Sequence, residues 1–125
     1  MNIPTNLFYT PEHEWFDPET GKFGITEFAQ EQLGDVVFFD FSSAEGDSFE
    51  KGDALGTVES VKTVSDVYGP GDGVILLLNE NIADRPEVVN EDPYGEGWML
   101  QLKLNDFDKS SLLDAAAYTA MLEKI

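Results

Sequence analysis

The sequence predicts a mainly β protein, a small barrel or sandwich with short helices at its margins. Three observations support this prediction: short runs rich in β-branched and aromatic residues, turns containing Pro and Gly between them, and apolar alternation near the C-terminus. With 125 residues, of which 42% are hydrophobic, the chain has the material for one core. We therefore expect residues 1–125 to form a single domain.

Seven strands are predicted. The clearest covers residues 98–104, where apolar side chains occupy positions 98, 100, 102 and 104, the period of a half-buried strand. Turn signals at 17–21 and 69–73 separate the earlier runs. The other predicted strands cover residues 14–17, 22–26, 36–41, 55–61, 63–68 and 74–78.

Three helices are predicted. Thr26 can cap a helix that runs through Leu33 and ends at Gly34. A second helix is predicted over 85–90, with Pro86 at its first position. A third covers 110–123, with one apolar face that packs on the sheets. That face contains Leu113, Ala117 and Met121.

The composition excludes several classes of function. The 25 acidic and 7 basic residues give a formal charge of 7 − 25 = −18, which repels nucleic acid and anionic membranes. With no Cys and only one His, neither a metal site nor a thiol nucleophile is expected. The opening residues resemble neither a signal nor a transit peptide, so the sequence predicts a soluble cytoplasmic protein.

Residues 58–67 contain the strongest functional signal. Folding this segment between Lys62 and Thr63 pairs residues of matching chemical type, as in a hairpin with a two-residue turn. Lys-Thr is a poor sequence for such a turn, and the fold would set Glu59 opposite Asp66, two like charges. Two broken local rules around Lys62 indicate a functional site.

Two other interpretations of this segment stay open. Lys62 could be an ordinary solvated lysine whose neighbouring carboxylates point into water. Valines recurring every three residues from Val58 to Val67 would also suit an amphipathic helix. β-branched side chains, together with glycines at 56 and 69, favour the hairpin.

The segment 59–66, Glu-Ser-Val-Lys-Thr-Val-Ser-Asp, resembles the lipoylation hairpin of the glycine cleavage H-protein family. Blocks at 9–15, 24–30, 33–38 and 89–99 also resemble that family, in its order. The resemblance covers the chain from Phe8 to the final helix. It implies a barrel-sandwich hybrid of the lipoyl and biotinyl type, and thus one H-protein-like lipoyl-carrier domain over 1–125.

The resemblance also implies a non-catalytic carrier with lipoic acid in amide linkage to Lys62. Such a carrier takes the aminomethyl group from the pyridoxal-phosphate glycine decarboxylase to the folate-dependent aminomethyltransferase, and electrons to dihydrolipoyl dehydrogenase. A lipoate ligase or lipoyl transferase would attach the cofactor. Because the reactive sulfurs belong to lipoate, a protein without cysteine can perform this chemistry.

Further residues acquire roles from the resemblance. In that family the lipoyl-lysine arm, once it carries the aminomethyl group, is called here the loaded arm. Glu14 is expected to line a cleft that protects the loaded arm through a charge-assisted hydrogen bond to its ammonium group. The alternative is that Glu14 is an ordinary exposed acid. Glu59 and Asp66 are interpreted as recognition groups beside Lys62, either for the ligase or for the arm. His13 is expected to pack or to form hydrogen bonds. Residues 90–97 are interpreted as a structured turn that leads into the last strand.

Three other functions compete with the lipoyl-carrier interpretation. A biotin carrier has methionines beside its lysine, where this chain has Val61 and Thr63. An H-like protein that relays lipoate to other lipoyl enzymes, without serving glycine cleavage, stays open. An enzyme that uses paired carboxylates is a weak alternative in a chain so rich in acids.

Overall fold

The computed structural model describes all 125 residues and contains nine strands in two antiparallel sheets. The larger sheet has the order β1-β2-β3-β9-β8-β5, and the smaller has the order β4-β6-β7. The mainly β prediction is confirmed. The strands are β1 (Phe8–Tyr9), β2 (Glu14–Phe16), β3 (Lys22–Ile25), β4 (Val36–Phe41), β5 (Ser48–Phe49), β6 (Ala54–Ser60), β7 (Val64–Tyr68), β8 (Gly73–Leu78) and β9 (Leu100–Leu104).

The two sheets enclose one main core of 16 buried side chains. The small sheet contributes Phe39, Val58 and Val67, and the large sheet contributes Phe23, Ile75 and Leu100. Each such side chain stabilises the fold by about 1.5–3 kcal/mol relative to an exposed one. The packing fixes the small sheet against the large one, and the small sheet includes the hairpin strands β6 and β7.

The helix after Thr26 matches its prediction. Helix α1 (Glu27–Leu33) begins where the Thr26 side chain accepts a hydrogen bond from the amide of Ala29, and it ends at Gly34. Gly34 has a φ of 78°, which a residue with a side chain rarely adopts. This glycine closes the helix next to the tip of the β6–β7 hairpin.

The single helix predicted over 85–90 is only partly right. Within that segment residues 88–90 are helical, in the short helix α3 (Val88–Glu91), and a separate short helix, α2 (Asn81–Asp84), precedes it. Arg85 stands between them with φ −133° and ψ 70°. Pro86 disfavours helical backbone at the residue before it, so it separates the two helices rather than starting one.

The C-terminal helix α4 (Ala115–Glu123) begins later than predicted. Leu113 is held outside it by two backbone hydrogen bonds to Tyr9, of 2.7 and 2.8 Å, and Asp114 caps the first turn. The predicted apolar face is right for Leu113 and Met121, which are partly buried against a second, smaller core cluster. It is wrong for Ala117, which is exposed, while Tyr118 is fully buried and stacks on Tyr9. No helix in the structure is long and apolar enough to cross a membrane.

Candidate functional site

The β6–β7 hairpin has a different register from the predicted one. Glu59 pairs with Val64, Val58 with Ser65 and Thr57 with Asp66, so the tip is a four-residue loop, 60–63. The predicted fold between Lys62 and Thr63 and the pairing of Glu59 with Asp66 are therefore wrong: the hairpin is centred one residue earlier, between Val61 and Lys62. No like charges face each other directly across this strand pair.

Ser60 explains the longer loop. Its hydroxyl accepts hydrogen bonds from the amides of Lys62 and Thr63 at 3.2 and 3.1 Å, and its amide donates to the carbonyl of Thr63 at 2.8 Å. None of the loop residues adopts a positive φ. The loop is therefore unstrained, and Lys-Thr violates no conformational preference in it.

Lys62 is exposed and its amine has no acidic partner. The molecule contains one ion pair, Arg85 with Glu87, so no carboxylate holds the Lys62 ammonium. The aliphatic chain lies against Gly34: a Cβ at that glycine would lie 3.0 Å from Cε and 3.7 Å from Nζ of Lys62. The amide of Val61 donates to the carbonyl of Asp35 at 3.0 Å, which ties the hairpin tip to the same loop.

Asn90 holds in place the loop between α1 and β4, which contains Gly34 and Asp35. Its amide nitrogen donates to the Gly34 carbonyl at 2.9 Å and to the Gln30 side chain at 3.0 Å, and its oxygen accepts from the amide of Val36 at 2.8 Å. The interpretation of 90–97 as a structured turn missed this role. The sequence could have indicated it only as a polar residue at the end of a short helix.

A half-open cleft of about 160 Å³ lies beside the hairpin. It is bounded by α1, by the start of β2 and by β7. Its twelve lining residues include Glu12, His13, Glu14, Phe28, Leu33 and Asp66. Half of the lining is hydrophobic, so the cleft suits an aliphatic chain with a polar end.

Glu14 lies in the wall of the cleft and is only 2% exposed, so the alternative that it is an exposed acid is wrong. Its two carboxylate oxygens accept hydrogen bonds from the Tyr68 amide at 2.6 Å and from the Thr10 hydroxyl at 2.8 Å. Burial raises the pKa of Glu14 to about 7, although both hydrogen bonds act in the opposite direction. Glu14 is therefore a carboxyl group that titrates near neutral pH.

His13 packs and forms hydrogen bonds, as expected. Its Nδ1 lies 2.8 Å from the Tyr118 hydroxyl, which also lies 2.8 Å from the Thr26 hydroxyl. The imidazole packs on Phe28 with ring centroids 4.6 Å apart, and burial lowers the pKa of His13. Its φ of 70° is the one positive value outside glycine, and it turns the chain into β2.

The two predicted recognition residues lie on the outer face of the small sheet. Glu59 is flanked across the strands by Phe38 and Val64, and Asp66 accepts a hydrogen bond of 2.9 Å from the Thr57 hydroxyl. Both side chains are exposed. Asp66 also borders the cleft, so it belongs both to the outer face of the small sheet and to the cleft lining.

Two antiparallel sheets that present an exposed, unpaired lysine at a hydrogen-bonded hairpin tip are the arrangement expected of a carrier domain. The sequence pattern that defines the family described as glycine cleavage H-protein matches residues 7–125. The chain belongs to that family. Its members are lipoyl carriers, and this chain is thus a carrier subunit rather than a catalyst.

Known relatives agree in sequence and structure. The glycine cleavage system H protein of Bacteroides thetaiotaomicron is 49% identical over 125 residues, covering 98% of each chain. The probable glycine cleavage system H protein of Halobacterium salinarum is 44% identical over 122 residues, again covering 98% of each. The crystal structure of the H protein from Mycobacterium marinum has a TM-score of 0.84 at 36% identity, over 97% of this chain and 99% of that one.

Proposed function

We propose that residues 1–125 act as one carrier domain with lipoic acid in amide linkage to Lys62. The observation that supports this most directly is the unpaired Lys62 amine at the hydrogen-bonded tip, with its aliphatic chain lying against Gly34. Leu33, the residue before Gly34, lines the cleft, so an arm attached to Lys62 would start next to a partly apolar cleft. The position of the lysine and the composition of the cleft both fit an attached aliphatic arm.

Attachment is an acyl transfer to the lysine. The ε-amine loses its proton to solvent and attacks the carbonyl carbon of lipoate activated as an acyl adenylate. A C–N amide bond forms, the C–O bond to the adenylate breaks, and AMP leaves. The formal charge of the protein changes from −18 to −19, because one of the seven cations is lost.

When attached, lipoate would supply a disulfide that can take up the aminomethyl group left when glycine loses its carboxyl group as CO2, and a dithiol that can pass its two electrons to the dehydrogenase. The partners in this proposal are glycine decarboxylase, the folate-dependent aminomethyltransferase, dihydrolipoyl dehydrogenase and the lipoate ligase or lipoyl transferase. The protein's own contribution is to fix the attachment point and to shelter the far end of the arm. Tethering also keeps the arm at high effective concentration near each partner.

Glu14 is proposed as the sheltering residue of the cleft. Its carboxylate is the one nearly fully buried acid of the chain, and it lies in the cleft wall. In its ionised form it would accept a hydrogen bond from the ammonium group of the loaded arm. Its two existing hydrogen bonds leave carboxylate lone pairs free for this contact, since each oxygen can accept more than one donor.

The test is lipoylation followed by reconstitution. The apo protein is incubated with lipoate, ATP and a lipoate ligase, and the product is mapped by peptide mass spectrometry. We expect modification at Lys62 alone. The modified protein is then assayed with glycine decarboxylase for exchange of the glycine carboxyl group. Modification without exchange would favour the lipoate relay, and modification at Lys51 or Lys103 instead would refute the proposed site.

A further inference from the structure

Strand β4 exposes two consecutive large apolar side chains beside the hairpin. The pairing of β4 with β6 shifts between Val36 and Phe38, which leaves Val37 as the extra residue of a β-bulge. In a regular strand, Phe38 would point to the same side as the buried Val36. The bulge turns it outwards instead, and it is 51% exposed. Bulges that redirect a side chain are typical of functional surfaces.

The redirected ring joins a larger surface. Across the three strands of the small sheet, Phe38 pairs with Glu59 and Glu59 pairs with Val64. Neighbouring strands are about 4.8 Å apart, so Phe38 and Val64 lie roughly 10 Å from each other on the outer face. Val61, in the tip loop, is also exposed. Together Val37, Phe38, Val61 and Val64 form what we call the tip patch.

Three acids lie on the same face as the tip patch. Glu59 lies within it, and the adjacent row of paired residues contains Asp40 and Asp66. None of the three is in an ion pair, because the single ion pair of the molecule is Arg85 with Glu87. A partner with an apolar depression and basic side chains around it would complement this surface.

The reach of a bare lysine identifies which partner needs this surface. From backbone to Nζ, an extended lysine spans only about 6 Å, given bond lengths of roughly 1.5 Å. The enzyme that acylates Nζ must therefore enclose the amine and touch the residues around it. Enzymes that act on the far end of the completed lipoyl-lysine arm can keep their reaction centre more than twice as far from the protein backbone as the enzyme that acylates Nζ. The surface next to Lys62 thus matters most to the acylating enzyme.

We propose that the tip patch is the docking surface for the enzyme that attaches lipoate, with Phe38 as its central contact. The partner presents an apolar pocket for Phe38 and basic groups for Asp40, Glu59 and Asp66. This inference rests on the proposed function, because it names the partner that modifies the same lysine. It adds a determinant outside the hairpin sequence, brought to the site by the bulge at Val37.

The test compares two exposed apolar residues. Phe38→Ser removes the central contact, and Leu76→Ser is the control, since Leu76 is 44% exposed on β8 of the other sheet. For each apo protein, the initial rate of lipoylation is measured against carrier concentration with a lipoate ligase, lipoate and ATP. We expect Phe38→Ser to raise KM about tenfold, which corresponds to about 1.4 kcal/mol, with kcat within twofold of the parent.

The outcomes separate this proposal from the proposed function. A parent protein that is not modified at Lys62 would refute the proposed function itself. A parent that is modified, with the same KM for Phe38→Ser, would overturn only the docking surface. Equal increases in KM for both variants would show a nonspecific effect and also overturn it. Normal lipoylation of Phe38→Ser with slowed glycine exchange would assign the patch to glycine decarboxylase instead.

Discussion

The backbone amide of Tyr68 donates a hydrogen bond to Oε2 of Glu14, and this bond joins strand β7 of the small sheet to strand β2 of the large one. The wall of the cleft is therefore linked directly to the strand that leads away from Lys62. A group that pairs with Glu14 would contact a carboxyl that already helps to hold the two sheets together.

Replacing Glu14 by Gln should remove a pH dependence of stability. The pKa of Glu14 is about 7 in the folded protein and near 4.5 in the unfolded chain. Between these values the folded state binds the extra proton, so the free energy of unfolding falls as pH rises. This contribution is complete below pH 4.5 and lost above about pH 7, for a total of about 3 kcal/mol. Urea unfolding of parent and Glu14→Gln at several pH values measures it, and parallel pH profiles would contradict it.

Glu14→Gln should also leave the loaded arm less protected. The neutral amide cannot form a charge-assisted hydrogen bond with an ammonium group, so release of ammonia and formaldehyde from the loaded protein should accelerate. A loss of 1 to 3 kcal/mol corresponds to a change of roughly fivefold to a hundredfold. Lipoylation should be nearly unchanged, because Lys62 lies outside the cleft. Equal decay rates for the two proteins at fixed pH and salt would show that Glu14 does not shelter the arm.

Lys62→Arg should fold like the parent and accept no lipoate. The side chain is exposed and unpaired, so its replacement costs little stability, while arginine has no amine that can be acylated. We expect an unchanged melting temperature and no glycine exchange activity. On a native gel the parent should shift towards the anode after lipoylation, and the variant should not. Activity in the variant would refute the carrier mechanism.

Gly34→Ala should perturb Lys62 beyond the cost of backbone strain. Both Gly34 and Gly46 have positive φ, but a Cβ at Gly46 meets nothing within 4 Å, whereas one at Gly34 crowds Lys62 Cε. Gly46→Ala is therefore the control for an alanine at positive φ, a backbone strain of about 1–3 kcal/mol. Lipoylation kinetics of both variants should show slower modification only for Gly34→Ala. Equal rates would mean that the lysine simply moves aside.

Asn90→Ala should destabilise the protein by about 2 kcal/mol, because it leaves the amide of the buried Val36 without a partner. Asn105→Ala is the matched control, since Asn105 is exposed and its side chain forms no hydrogen bond in the protein. Chemical denaturation of both variants measures the difference. A loss below 0.5 kcal/mol for Asn90→Ala, typical of an ordinary surface position, would contradict the prediction.

Local signals predicted the local structure well. Thr26 and Gly34 carry their capping chemistry within their own sequence, so the bounds of α1 could be predicted. The hairpin was also predicted, but its register was not, because mirror symmetry in the sequence does not show that the Ser60 hydroxyl stabilises a longer loop. The late start of α4 depends on the pairing of Leu113 with Tyr9, more than a hundred residues away.

The candidate site likewise has features that adjacent residues predict and features that depend on contacts between distant segments. Lys62 was predicted as the attachment site from adjacent residues, and Glu14 as a cleft residue by its place in a short motif. The cleft wall, however, requires Glu14 to meet the Tyr68 amide, and the loop below Lys62 requires Asn90 to meet Gly34. Such contacts form only when distant segments pack, and nothing in the local composition marks them. The exposure of Phe38 could not be predicted either, because its outward direction depends on a β-bulge.

The bond between the Val61 amide and the Asp35 carbonyl has a mechanical consequence. Together with the hydrogen bonds of Ser60, it anchors the hairpin tip to the loop after α1, so the radius swept by a group attached to Lys62 would equal the length of that group and of the lysine side chain. A reaction centre that lies deeper than this radius below a partner's surface would be reached only if the partner also admits the hairpin tip. Covalent bond lengths and the narrow width of the tip would together limit the depth that an attached group can reach.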